Sequence, residues 1–309
     1  MDNTKKSSGS SRVGILDELR GFAIICMVVY HAMYDLKYLF GLDIPIFFDG
    51  WFDVIRDIFA GLFIFISGTV CRYSSNNIKR GAQCFFIGMI MTFVMPFFTS
   101  GTVMFGILHF LGVSMMLFGL GQKLFDLLPS WVGIGVCVLL FILTMNVRLT
   151  YANGMISPGY IGIPNLFAIK LPMEAYNVGV LFPLGLHNAS FSSSDYFPMM
   201  PWFFLFLAGS YFGIIAKAGR LPKFCYPTHI KWLAAVGRYT IWIYVLHQPV
   251  LYGIFSLIFH RWRCQKNEFL HIQVVERAFS AYILMWDFNA TNKGLHFFAK
   301  CYIIVFIRK

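Results

Sequence analysis

Apolar stretches alternate with short polar ones along most of this chain. Apolar runs cover about 19–40, 52–70, 82–98, 103–120, 131–146, 197–216 and 234–259. Each is near the roughly 20 residues that a membrane-spanning helix needs, although the third and fifth are short. The pattern predicts an all-α integral membrane protein, a polytopic bundle of about 7–9 transmembrane helices within residues 14–259. Two stretches break it. Between Arg148 and Phe197 stand Pro158, Pro164, Pro172 and Pro183 with several glycines, which excludes one continuous spanning helix. Partly re-entrant backbone covering a cavity is expected there, since irregular backbone at membrane depth must be shielded from lipid. In residues 260–309 the segment HRWRCQKNEF puts basic residues where alternation predicts the outer side, and AKCYIIVFIRK is too short to span. A tail, an uncounted helix or a damaged reading frame would each account for it. Residues 1–13 are polar and Ser-rich and read as a disordered lead.

Composition agrees with a bilayer as solvent. The 309 residues are 58% hydrophobic, 18% aromatic and 13% charged, with mean hydropathy +0.67. The first run is too long and too charged for a cleaved signal, and lacks a small-residue cleavage site. The net charge of +11 does not call for nucleic acid, because the Lys and Arg residues collect between apolar runs. Lys5, Lys6, Arg12 and Arg20 precede the first run; Arg72, Lys79 and Arg80 follow the second; Lys123 follows the fourth; Lys217, Arg220, Lys223 and Lys231 follow the sixth. By the positive-inside rule these place the N-terminus in the cytoplasm. Seven cysteines without a CxxC pair read as buried thiols rather than disulfides or metal ligands, with Cys26, Cys84 and Cys137 inside predicted spans.

The first run holds the candidate chemistry. In ELRGFAIICMVVYHAMYDLKYLF, Arg20 stands eleven positions before His31, about three helical turns, so both point the same way roughly 16 Å apart. Asp35 follows one turn later. An ionisable group at mid-depth is costly and marks function more often than not. Asp57, His109 and His247, from the second, fourth and seventh runs, fall in the same middle-to-outer layer. His31 is the candidate base, with Asp35 or Asp57 to fix its tautomer. Arg20 suits a phosphate, as do Arg80 and Arg238, though topological anchoring explains such arginines too. Arg56 and Asp57 can simply neutralise one another. His109 also reads as a helix–helix hydrogen-bonding residue. His247, in YVLHQPV, or Gln248 could compensate for the Val245 carbonyl that Pro249 frees. Asp195, in DYFPMMPW, would cap the following helix or meet a substrate at the outer mouth, with Tyr196 and Trp202 as interfacial anchors. There is no Walker loop, HExxH or GxSxG motif, and no metal is expected.

The segment LDELRGFAIICMVVYHAMYDL is similar, in its Arg–ten residues–His spacing, to the acyltransferase 3 family. Together with LFIFISG, FGILHFLGV, DYFPMMPWFFLFLAG and GRYTIWIYVLHQPVL, it more closely resembles bacterial relatives of the heparan-α-glucosaminide N-acetyltransferase catalytic domain, over roughly residues 12–255. The resemblance implies a bundle that takes an acyl group, acetyl by expectation, from cytoplasmic acyl-CoA and passes it to an acceptor on the opposite side. The family's Arg and His would map onto Arg20 and His31. The lysosomal enzyme's catalytic His belongs in the loop after the first helix, where this chain has GLDIPIFFDGW; that mechanism and amino-sugar specificity do not transfer.

The expected function is therefore a membrane-bound O- or N-acyltransferase of a bacterial plasma membrane. His31, Asp35 and Asp57 would be catalytic; Arg20, Arg80 and Arg238 would hold CoA phosphates; His109, Asp195 and His247 would contact the acceptor. Its partners would be lipid and an envelope glycan or similar acceptor, no nucleic acid, with a homodimer left open. A proton-coupled transporter or a non-catalytic scaffold would use the same intramembrane polar groups, though the internal repeats typical of transporters are not evident.

Overall fold

The computed structural model describes residues 13–45, 51–97, 102–152 and 155–259. The lead before residue 13 and the tail from residue 260 lie outside them. The described chain is mainly helical: α1 Gly14–Tyr38, α2 Trp51–Cys71, α3 Asn77–Val94, α4 Ile107–Phe125, α5 Ser130–Thr144, α6 Glu174–Asn177, α7 Met199–Lys217, α8 Lys231–Arg238 and α9 Thr240–Ile258. Five of these are long and apolar enough to cross a membrane, from Phe52, Asn77, Ile107, Met199 and Thr240 onward. Helix α5 is apolar but has only 15 residues, and α1 carries Asp17, Glu18, Arg20, Asp35 and Lys37 along its 25.

Two details depart from the sequence reading. The Pro-rich stretch is not irregular throughout. It forms two antiparallel hairpins, β1 Thr150–Ala152 with β2 Met155–Ser157, and β3 Tyr160–Ile163 with β4 Phe167–Lys170. Tyr176 of α6 ties them down, donating to the Val147 carbonyl and accepting from the Gly159 N–H. The all-α expectation is corrected to this extent: prolines forbid a helix, and short hairpins satisfy the backbone instead. The seventh apolar run is also broken at Tyr239, so that the short α8 precedes α9.

Close helix contacts are made by glycine. A Cβ on Gly68 of α2 would lie 1.9 Å from the Phe206 carbonyl, and one on Gly209 of α7 would lie 2.0 Å from that of Phe65. Thr69 fills the remaining gap by donating to the Gly209 carbonyl at 3.0 Å. Phe110, Phe118, Phe206 and Trp202 build the core on this pair. Trp202 is thus a buried core residue, edge-on to Phe141 and tilted against Phe197, and not an interfacial anchor. Arg72 is likewise no surface topological charge. It is buried, donates to the Ser210 carbonyl at 3.1 Å and Asp126 at 2.6 Å, and lies over the Phe118 ring. The cysteines among the described residues are free thiols, with Cys84 and Cys137 buried and Cys26 half-buried.

Helix α1 is docked along α8 and α9 in parallel. Near its start, Glu18 accepts from the His229 and Ile230 N–H groups, satisfying the entry of α8 in place of a local cap. Arg20 Nη1 donates to the Gly237 carbonyl at 3.4 Å. Further along, the His31 ring meets His247, and Asp35 meets Gln248. The eleven-residue step from Arg20 to His31 is matched by ten residues from Gly237 to His247 on the partner helices.

Candidate active site

Residues of α1 at helical spacing, Ile24, Met27 and His31, face Phe59 and Phe63 of α2 across a cavity of about 240 Å³. Arg56 of α2, Ser194, Asp195, Ile107 and Tyr244 of α9 also line it. The wall is largely apolar, so the few polar groups on it stand out: the His31 imidazole, the Tyr30 and Tyr244 hydroxyls, Asp195 and Arg56. An apolar cleft with a few convergent polar groups is the usual form of a small-molecule site.

Each polar group is held by neighbours. Asp195 Oδ2 accepts from the Ile107 N–H at 3.1 Å and from the Tyr244 hydroxyl at 2.8 Å. It therefore caps α4, not the α7 helix that follows it in sequence. Gly106 makes the approach possible, since a Cβ there would sit 2.5 Å from Asp195 Oδ2. The adjacent Tyr196 hydroxyl donates to the Phe182 carbonyl. Burial pushes that phenol's pKa above its ordinary value, so it stays protonated as a donor.

His31 pairs with another histidine and with neither expected carboxylate. Its ring lies 5.0 Å, centroid to centroid, from that of His247. Asp35 is fully buried and receives the Gln248 amide on both oxygens, at 2.8 and 2.9 Å. Asp57 is engaged by Arg56, which also reaches Asp53 at 3.1 Å and the Tyr30 hydroxyl at 3.4 Å. The role of orienting carboxylate is thereby corrected for both: each already has a partner on another residue. His247 Nδ1 lies 2.6 Å from the Tyr244 carbonyl, while Gln248 is spent on Asp35, so neither side chain takes up the Val245 carbonyl freed by Pro249. His109 does not line the cavity. It is buried between α3 and α4, 3.3 Å from the Thr92 hydroxyl, as a helix–helix packing residue would be.

The arginines gather at the other end of α1 and α2. Arg20 lies near the start of α1, Arg72 directly after α2 and Arg80 near the start of α3. Arg80 and Arg238 are exposed there, whereas Arg20 is half-buried against Asp17 and Gly237. Sequence reasoning missed Arg72, Ser194 and Tyr244. For Tyr244 a signal existed, because YVLH places it three residues before His247 on the same helix face.

Long apolar helices, with a mainly apolar pocket between them that has the His31 imidazole on its wall, define an integral membrane protein. The model of the heparan-α-glucosaminide N-acetyltransferase catalytic domain matches residues 12–249, and the chain belongs to that family. The match takes in every helix described except the last turns of α9. No curated protein and no solved structure matches the chain.

Proposed function

We propose that the protein is a membrane acyltransferase that moves an acyl group, expected to be acetyl, from cytoplasmic acyl-CoA to an acceptor on the opposite side of a bacterial plasma membrane. The observation that carries this reading is the placement of His31 on the wall of a mainly apolar cavity inside a chain of the N-acetyltransferase family. The cavity suits an acyl end and part of its carrier arm. The phosphates of the donor would meet the guanidinium groups of Arg20, Arg80 and Arg238. An N-terminus facing the cytoplasm, as the basic connections favour, puts that end on the donor side.

In this reading His31 takes the proton from the acceptor hydroxyl or amine as its oxygen or nitrogen attacks the thioester carbonyl. The tetrahedral adduct collapses, the carbon–sulfur bond breaks, and the imidazolium returns the proton to the departing thiolate. Tyr244 and Asp195 face the reacting groups from α9 and the α4 entry and hold the acceptor. An envelope glycan or a comparable hydroxyl- or amine-bearing molecule is the acceptor class, and two copies of the chain could assemble in the membrane.

The test is direct. Purified full-length protein in detergent should bind acetyl-CoA and transfer or hydrolyse its acyl group. Arg20→Ala should weaken binding, while His31→Ala should remove turnover and leave binding intact. Binding with no turnover under any acceptor, or solute flux in vesicles that ignores CoA, would overturn the proposal in favour of a scaffold or a transporter. Radiolabel retained on wild-type protein but not on His31→Ala would mean that the imidazole carries the acyl group covalently.

A further inference from the structure

We propose that His247 is a positioning residue for His31, setting by a ring-to-ring hydrogen bond which of its nitrogens is free to take a proton. The inference rests on the reading of His31 as the base. It begins with His247 Nδ1, which stands 2.6 Å from the Tyr244 carbonyl. A carbonyl only accepts, so Nδ1 carries the hydrogen. The ring is buried and no carboxylate among the described residues is bonded to it, which keeps it neutral. Its Nε2 is then a bare lone pair, and this atom is buried without a hydrogen-bond partner among the described residues.

The imidazole packed against the His247 ring is that of His31. Its ring centroid is 5.0 Å away at a tilt of 53°, which brings facing nitrogens near the roughly 3 Å of a hydrogen bond once the rings turn toward each other. The terminal torsion of histidine is soft, so the turn is easily made. His31 then donates one N–H to His247 Nε2, and its second nitrogen faces the cavity unprotonated. The Tyr244 carbonyl thus acts through His247 on His31, as a carboxylate does in other proton-transferring histidines. During transfer the acceptor's proton goes to the cavity-facing nitrogen and leaves from there to the thiolate. The N–H shared with His247 stays in place throughout, and its bond strengthens while His31 is cationic.

Solid-state NMR of the full chain in lipid, labelled with ¹⁵N-histidine, reads the tautomers. The expected result is a His247 ring protonated at Nδ1 and accepting at Nε2, with one tautomer of His31. In His247→Leu that tautomer should give way to a mixture, with kcat falling about 10²-fold and acetyl-CoA affinity unchanged. His247→Gln, whose amide oxygen can stand near the Nε2 position, should restore the single tautomer and recover kcat to within about tenfold. An unaltered His31 tautomer in His247→Leu would overturn the proposal. Equal loss of kcat in the Leu and Gln variants would do so as well. If His31 responds to His247 while wild-type protein transfers no acyl group, the acyltransferase reading fails and the positioning of one ring by the other stands.

Discussion

The Gln248 amide nitrogen donates to both carboxylate oxygens of Asp35, at 2.8 and 2.9 Å, with both side chains buried. This contact locks α1 to α9 one turn beyond His31, and it fixes how far the histidine can move relative to His247. Gln248 Oε1 meanwhile has no hydrogen-bond partner among the described residues. Asp35→Asn should therefore be tolerated, because its amide can donate to that oxygen while its carbonyl still accepts. Asp35→Leu leaves the whole Gln248 amide unsatisfied and should cost about 1–3 kcal/mol. Thermal unfolding in detergent checks this: Asp35→Asn should match wild type, and Asp35→Leu should unfold several degrees lower.

Gly237 touches α1 so closely that a Cβ would meet the Asp17 carbonyl at 1.8 Å. Gly237→Ala must push α8 away from α1 and break the Arg20 bond to the Gly237 carbonyl, at a cost of about 3 kcal/mol. Among the described residues nothing lies within 4 Å of the Cβ that Gly253 on α9 lacks. Gly253→Ala should leave stability unchanged or raise it by about 0.5–1 kcal/mol. Folded yield after size-exclusion chromatography will separate the two, and equal behaviour would contradict the packing described.

Asp195 is held by Tyr244 and by the start of α4, so disturbing either side should have the same consequence. Tyr244→Phe removes one hydrogen bond, worth about 1 kcal/mol, and Gly106→Ala displaces the carboxylate by steric contact. Both should raise the KM for the acceptor several-fold and leave acetyl-CoA affinity unaltered. Titration of each variant against donor and acceptor separately will show whether the two losses coincide.

Arg72 and Asp126 form an unequal ion pair, with side-chain exposures of 5% and 40%. Asp126→Asn strands a buried guanidinium and should cost about 2–4 kcal/mol. Arg72→Met leaves a carboxylate that water can reach and should cost about 1–2 kcal/mol, mainly through the lost Ser210 bond. The double variant should be no worse than Asp126→Asn alone. A cycle of thermal or denaturant unfolding measurements decides the order.

The elements were largely legible, and the site only in part. Hydrophobic runs located α2, α3, α4, α5 and α7 to within a few residues, because a lipid-facing helix must be apolar over its length. The break at Tyr239 was not legible, since a single Arg238 between apolar residues does not by itself mark a helix end. Arg20 and His31 were placed on one face by helical periodicity alone, a property of one helix. The expected carboxylate partners of His31 were the part that the sequence misassigned. Asp35 and Asp57 were plausible partners of His31 by proximity in sequence or depth, yet the crossing of α1 with α9 gave Asp35 to Gln248, and a neighbour on its own helix gave Asp57 to Arg56.

The order of residues by itself determined that this chain is built for a bilayer, that its first long helix aligns a guanidinium with an imidazole, and which family it resembles. These follow from solvent preference and from the fixed rise and turn of a helix, both local properties. Tertiary structure alone decided that His31 faces His247, that Asp195 closes the far side of the cavity through Tyr244, and that Arg72 is buried. Those relations depend on where glycines let helices approach and on which polar groups remain unsatisfied once they do, and no periodicity within a single segment encodes either.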